Sequence, residues 1–346
     1  MANNNFSDKV ITIKDIATVV GVSTSTVSRV LNGTKMDLIS EKTREKVLRA
    51  AGELGYSSNP LARALKGKQT YLLGLIVREI SDPFFTSIIS HLSTQAESLG
   101  YHIVLAHAHS DTQEAIQMSV ALDTRHLDGM FVLGDLHDDE TALRRILQKN
   151  RVVVAMCHGP NPEWIPKVNI DNQLGVTMML DYLYSLGHRR LAFIDGGWLG
   201  DIRERLVVFK EYVKLHSIDQ SAQIITAPNN DATGGYEALK EILGLTPRPT
   251  AVFAADDVMA FGALKAAADS GISVPKDLSI VGFDDVEFTQ YTSPSLTTIR
   301  QPIEEMSRHA LSLIIDLIEK KNITPELNST LISPELIIRQ SSGPVP

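Results

Sequence analysis

From residue 70 onward, short apolar runs of strand length alternate with segments of helix length. LLGLIV (72–77), HIVLA (102–106), GMFVL (129–133) and VVVAM (152–156) form one series, which restarts with LAFI (191–194), QIIT (223–226), AVFA (251–254) and LSIVG (278–282). Runs that are apolar throughout belong to strands covered on both faces, and strands joined through helices run parallel. The pattern predicts an α/β fold of doubly wound parallel sheets. Its restart predicts two such lobes, alike in architecture without clear sequence identity. Ligands of open parallel sheets collect beyond the strand carboxyl ends, so two lobes imply a cleft between them.

Polar residues cluster where those ends fall: Asp82 ahead of Phe84 and Phe85, Asp135, Asp171 with Asn172, Asp201 with Arg203 and Arg205, Asp256 with Asp257, and Asp284 with Asp285. Carboxylates accept hydrogen bonds from adjacent hydroxyls, and arginine donates through a fixed fork. With phenylalanine faces beside them, the set suits a polyhydroxylated ligand. Each aspartate can equally cap the helix that follows it.

Enzyme signatures are missing. No GxGxxG opens a helix, KGKQT (66–70) lacks the upstream glycine of a P-loop, and no GxSxG elbow occurs. The adjacent carboxylate pairs diverge, which is wrong for a glycosidase. His107 and His109 share a strand end with little else to bind a metal. Cys157, the single cysteine, reads as a core thiol and excludes a disulfide framework. A non-enzyme without cofactor or metal is expected.

The first sixty residues have a different grammar. Ile13, Ile16, Ala17 and Val20 make a helical stripe over 12–20, closed by Gly21. Ser23 is a suitable N-cap for a helix over 24–31, with Val27, Val30 and Leu31 on one face, and Asn32-Gly33 ends it. A third helix is expected from Ser40 to Gly55, with Val47, Leu48, Ala51 and Leu54 turned inward. Helix, short glycine turn, helix is the pattern of a DNA-binding helix-turn-helix, although a plain three-helix bundle has it too. NPLARALKGKQ (59–69) could form one or two helical turns behind Asn59 and Pro60, too short to be stable alone, or could be a flexible tether.

The formal net charge of −8 argues against a nucleic-acid partner until it is divided. Residues 1–69 carry 11 basic and 6 acidic side chains, net +5, and the remainder 22 and 35, net −13. A basic head on an acidic body suits a protein that brings one end to phosphates. MANNNFSDKV at the amino terminus lacks the apolar core of a secretory leader, and no apolar run is long enough to span a bilayer. A reduced, cytosolic protein is expected.

Ordered motifs along nearly the whole chain resemble the LacI/GalR family of bacterial transcription repressors. They are TIKDIA (12–17), GVSTSTVSRVLNG (21–33), EKTREKV (41–47), GYSSNPLARAL (55–65), DPFF (82–85), DGM (128–130), NIDN (169–172), GHRRLAF (187–193), ADDVMAFGA (255–263) and VPKDLSIVGFDD (274–285). The resemblance implies a helix-turn-helix headpiece over 1–58, a hinge helix and linker over 59–69, and a periplasmic-binding-protein-like core over 70–340, with a tail at 341–346. Within that core it implies one lobe of about 70–169 and 299–327 and another of about 170–298 and 328–340. It further implies a homodimer on a pseudo-palindromic operator, controlled by a small polar effector, most simply a sugar.

Residue by residue, the resemblance makes Thr24, Ser25 and Arg29 base-reading positions of a recognition helix, and Ser23, Thr26, Ser28 and Asn32 phosphate contacts. Asn59, Ala62 and Leu65 fall in the hinge helix, Leu65 matching a leucine wedge of the minor groove. Phe84, Phe85, Asp201, Arg205, Asp256 and Asp284 match effector-binding positions. The chain departs from the family where Asn32–Ser40 is two residues longer than in many relatives and where Asn230 stands in place of an aromatic. The closing SSGPVP holds no leucine heptad, so a dimer rather than a heptad-linked tetramer is expected. A sugar-binding protein or carbohydrate-active enzyme on the same core is the alternative.

Overall fold

The computed structural model describes residues 11–31, 36–56, 69–77, 79–108, 127–134, 152–157, 165–197, 200–218, 221–319 and 329–345, together with residues 117 and 144. The chain divides into two compact units, Met1–Lys68 and Gln69–Pro346.

In the first unit, α1 (Ile13–Val20), α2 (Thr24–Leu31) and α3 (Glu41–Glu53) surround a small core of Ile16, Ala17, Val27, Val30, Val47, Ala50 and Ala51. Asp15 receives the main-chain N–H and the hydroxyl of Thr12 at 2.9 and 2.6 Å, placing an acid where the helix dipole favours it. α1 stops at Gly21, whose φ of 73° lets its N–H and that of Val22 return to the Ala17 carbonyl. Ser40 caps α3 by accepting from the Thr43 N–H. Leu48, expected to face inward, is 47% exposed instead. Val47, Ala50 and Ala51 repeat at helical spacing, which turns Leu48 to their flank.

The second unit holds both lobes. β1 (Leu72–Val77), β2 (His102–His107), β3 (Gly129–Leu133), β4 (Val153–Met156), β5 (Lys167–Ile170) and β11 (Ser329–Ile332) form a parallel sheet ordered β11-β5-β4-β3-β1-β2. α4 (Pro83–Ser98) and α9 (Ile303–Ile318) pack with it. The other lobe has a four-stranded parallel sheet ordered β7-β6-β8-β9, from β6 (Leu191–Asp195), β7 (Gln223–Thr226), β8 (Ala251–Ala254) and β9 (Ser279–Val281). Its helices are α5 (Asn172–Ser185), α6 (Gly200–Leu215), α7 (Ala232–Leu243) and α8 (Asp257–Asp269). β10 (Thr298–Arg300) and β12 (Glu335–Ile337) pair antiparallel.

The expected assignment of 328–340 to the second lobe needs correction. Thr330–Ile332 of β11 pair in register with Val168–Ile170 of β5, so the chain returns to the first sheet before crossing again. Val, Ile and Leu at 168, 170, 331 and 332 supply the β-branched and apolar residues for this pairing, but four-residue runs carry little periodic signal.

α7 and α8 meet at two glycines. A Cβ on Gly235 would lie 2.0 Å from the Met259 carbonyl oxygen, and one on Gly262 only 1.8 Å from that of Ala232. Backbone touches backbone there, which only glycine permits. This contact fixes the spacing of two helices whose first turns face the cleft.

Candidate functional site

The first site is the exposed start of α2. Ser23 caps it: its hydroxyl accepts from the Thr26 N–H at 3.1 Å and lies 2.7 and 2.9 Å from the hydroxyls of Ser25 and Thr26. Ser23, Thr24 and Ser25 are exposed, while Thr26, Ser28 and Arg29 are half-buried at the helix flank. Val27 and Val30 anchor the opposite face in the core. The helix therefore presents short hydroxyls at its amino end and a guanidinium one turn later. Asn32, Asn59, Ala62 and Leu65 lie outside the described residues.

The second site lies between the lobes of the other unit. A cavity of about 700 Å³ is walled by Glu79, Ser81, Asp82 and Pro83 of the first lobe and by Gly196, Gly197, the 226–231 loop and Val258 of the second. Asp82, Asp231 and Asp256 cap α4, α7 and α8 by accepting from the N–H groups of Phe84, Gly234 and Met259 at 2.7–2.8 Å. Capping and cavity lining are compatible here, because a helix amino terminus that faces the cleft needs an acceptor in the same place.

Behind this wall is a buried polar network centred on Arg205, itself 1% exposed. Its Nε donates to Asn172 Oδ1 at 2.9 Å and its Nη1 to the Ala255 carbonyl at 2.6 Å. Its Nη1 lies 3.3 Å from Asp284 Oδ1, its Nη2 lies 3.7 Å from Asp201 Oδ2, and its Cζ sits 3.7 Å above the Phe283 ring. Asn172 passes the interaction on by donating to Glu204 Oε2 at 2.8 Å. Burial pushes the carboxyls of Glu204, Asp256 and Asp284 above the usual carboxylate range, although Arg205 pulls each of them down. For Asp284, the neighbouring Asp257, Asp256 and Asp82 add to the rise.

Asp284 is held by unusual backbone. Its φ is 116° and that of Asp285 is 57°, both left-handed and costing on the order of 1–3 kcal/mol each. The Asp284 N–H donates to the Ile299 carbonyl at 2.7 Å, and Gln301 Nε2 donates to its Oδ1 at 2.6 Å. Arg300 and Arg339 each reach the Asp285 carboxylate at 2.7 Å. Asp257 takes the Val286 N–H and the Thr298 hydroxyl. Each adjacent pair thus splits its work. Asp256 and Asp284 join the Arg205 network, while Asp257 and Asp285 hold the turn that carries Asp284.

Of the side chains expected around an effector, the structure brings Asp201, Arg205, Asp256 and Asp284 together. Phe84 and Phe85 differ: they are 2% and 1% exposed and meet in the first lobe's core with ring centroids 5.5 Å apart and planes tilted by 56°, because their helix turns that face onto the sheet. Asp82 and Pro83 take the wall position. Asn172 stood out in sequence only as a strand-end neighbour, and Glu204, Phe283 and Gln301 gave no signal, since each is defined by a partner distant along the chain. Among the described residues no group of His, Cys, Asp and Glu could hold a metal ion. No helix there is long and apolar enough to cross a membrane.

A helix-turn-helix unit joined to a two-lobed α/β core with a polar cleft is the build of a DNA-binding transcription regulator. Residues 12–59 match the model of the lacI family of bacterial regulatory proteins, and residues 180–342 that of a periplasmic binding protein-like domain. The chain is 36% identical over 338 residues to the HTH-type transcriptional repressor CytR of Escherichia coli K12, covering 97% of both. The crystal structure of the lac repressor dimer bound to operator and the anti-inducer ONPF aligns over 97% of this chain and 100% of that one, with a TM-score of 0.83 and 26% identity. The regulator CelR in complex with cellobiose aligns over 96% and 100%, with a TM-score of 0.68 and 29% identity. The chain belongs to the LacI family and is a DNA-binding transcriptional repressor.

Proposed function

We propose that this repressor binds a pseudo-palindromic operator as a homodimer and that a small polar effector, a sugar, sets its operator affinity from the inter-lobe cleft. The observation that carries the reading is the Arg205–Asp284–Asp201–Asp256 cluster behind a cavity of about 700 Å³. Hydroxyls satisfy such a lining as paired donors and acceptors, and the structurally similar transcriptional regulator CelR is seen in complex with cellobiose. The effector acts through its differential affinity for two lobe arrangements, which is what shifts an equilibrium.

In this reading residues 1–58 are the headpiece, 59–69 the hinge and 70–340 the effector core; the expected tail at 341–346 is corrected, since Ser341 is buried against Ile280 and Thr297 and Gly343 bonds His188. Thr24, Ser25 and Arg29 read bases in the major groove, while Ser23, Thr26, Ser28 and Asn32 fix register on phosphates. Asn59 and Ala62 belong to the hinge helix, and Leu65 inserts into the minor groove, where an apolar wedge offsets unstacking by bending the duplex. The protein works in the bacterial cytoplasm, without a cofactor and without an enzymatic activity.

The test is selection of bound duplexes from a random pool, followed by gel shifts at physiological salt. A palindromic consensus is expected, and Arg29→Ala should relax preference at one base of each half-site by roughly 10- to 100-fold. Retardation without any sequence preference would sink the regulator reading and favour a ligand-binding protein or enzyme on this core.

A further inference from the structure

We propose that the inter-lobe cavity selects uncharged or amine-bearing ligands and excludes phosphorylated and carboxylated ones. The proposal rests on the reading of this cavity as the effector site.

The first ground is the charge balance of the described network. The Arg205 guanidinium is shared among Asp201, Glu204, Asp256 and Asp284, each of which interacts with it directly or through space. Its Nε and Nη1 are committed to Asn172, the Ala255 carbonyl and Asp284, its face to Phe283, and its Nη2 faces the Asp201 carboxylate at 3.7 Å. An entering phosphate or carboxylate would compete with these carboxylates for their one cation, at the cost of leaving buried charge less well paired. The cavity wall adds acid and no described base: Glu79, Asp82 and Asp231 line it, and no described lysine or arginine does.

A second, independent ground is Asn230. Its amide hydrogen-bonds Asp256 and lowers that carboxyl's pKa. With Asp256 taking the N–H, the orientation of the amide is determined. Its Oδ1 is left buried without a partner, against Gly196, where a Cβ would come within 1.9 Å of it. Both residues line the cavity. A buried carbonyl without a donor calls for one, and beside the cavity a ligand O–H or N–H is the group that could supply it. Acidic network, acidic wall and orphaned acceptor all ask for donors and refuse anions. The field of a low-dielectric cleft strengthens that refusal relative to water.

The experiment uses the full chain at pH 7 and matched probes: D-ribose, D-glucosamine and cellobiose against D-ribose 5-phosphate, D-glucosamine 6-phosphate and cellobionate. Thermal shift identifies binders and calorimetry measures them. At least one neutral or amino probe should bind at least tenfold more tightly than its anionic counterpart. Glu204→Gln, which removes one carboxylate yet can still accept from Asn172, should narrow that ratio at least threefold. Anionic probes binding as tightly as their partners, no binding by any probe, or an unchanged ratio in Glu204→Gln would overturn the proposal. Operator selection is measured separately without any probe. Loss of sequence-selective DNA binding would defeat the regulator reading alone, and a failed ratio would defeat the charge selectivity alone.

Discussion

Gly262→Ala adds one methyl group at the crossing of α7 and α8, where it would stand 1.8 Å from the Ala232 carbonyl oxygen and 2.7 Å from the Tyr236 nitrogen. Ordinary contact requires a little over 3 Å, so the helices must separate by roughly 1.3 Å. Both obstructing atoms are backbone, and no rotamer change relieves them. Overpacking of this kind costs about 1–3 kcal/mol, and here the upper end applies. Alanine returns about 1 kcal/mol through helix propensity, leaving a net loss of about 2 kcal/mol. The same change at Gly52 in α3 meets nothing within 4 Å. It should stabilise the headpiece by about 0.5–1 kcal/mol. Hydrogen exchange read by mass spectrometry in increasing urea separates the two units, which a single melting curve would blend. The effect reaches the cleft as well, because Asp231 and Asp256 cap these two helices at their cavity ends. Widening their spacing draws Asn230 from Asp256, so affinity for a binding probe should fall about tenfold while headpiece protection stays unchanged. If Gly262→Ala is as stable as the parent, the glycine crossing does not set the helix spacing and the reasoning fails.

Three further outcomes follow from buried ionisable groups. His188, fully buried between the Thr250 hydroxyl and the Gly343 carbonyl, has its pKa lowered by desolvation. It therefore contributes stability that is present above its unfolded value near 6.5 and lost as pH falls through its folded value. Urea titrations from pH 8 to 5 should show this slope, and His188→Gln should flatten it. Glu204, Asp256 and Asp284 behave oppositely: their raised values give stability that is present below about pH 4 and lost as pH rises through each folded value, so neutralising any one of them should reduce the loss. Arg205→Met leaves those carboxylates without their cation and should cost about 3–5 kcal/mol; adding Asp284→Asn should recover part of it, and strict additivity in that cycle would deny the coupling.

The lobes were legible in the sequence because long apolar runs have no other use, and the headpiece because caps and periodicity agreed at Gly21, Ser23 and Ser40. The short strands at 167–170 and 329–332 were not, since their pairing lies far apart along the chain. Within the cleft, Arg205 and Asp284 could be named through the family resemblance, and capping correctly explained Asp82 and Asp256. Gln301 and Glu204 were hidden because a polar side chain acquires its role only from what folds against it. Phe84 and Phe85 misled for the converse reason: an aromatic pair after Asp-Pro has an apolar sheet to cover before it can face a ligand.

The return of β11 to the first sheet carries a consequence for how the protein is made. That lobe is completed only by α9 and β11, and Ile314 of α9 packs where any side chain at Gly129 would sit. On the ribosome, residues 11–56 can assemble their own core as soon as they emerge. The strands of the first lobe must wait for residues 303–332, more than a hundred positions after β5. Until those residues follow, a growing chain holds an assembled helix-turn-helix core beside a first lobe still short of its edge strand and covering helix.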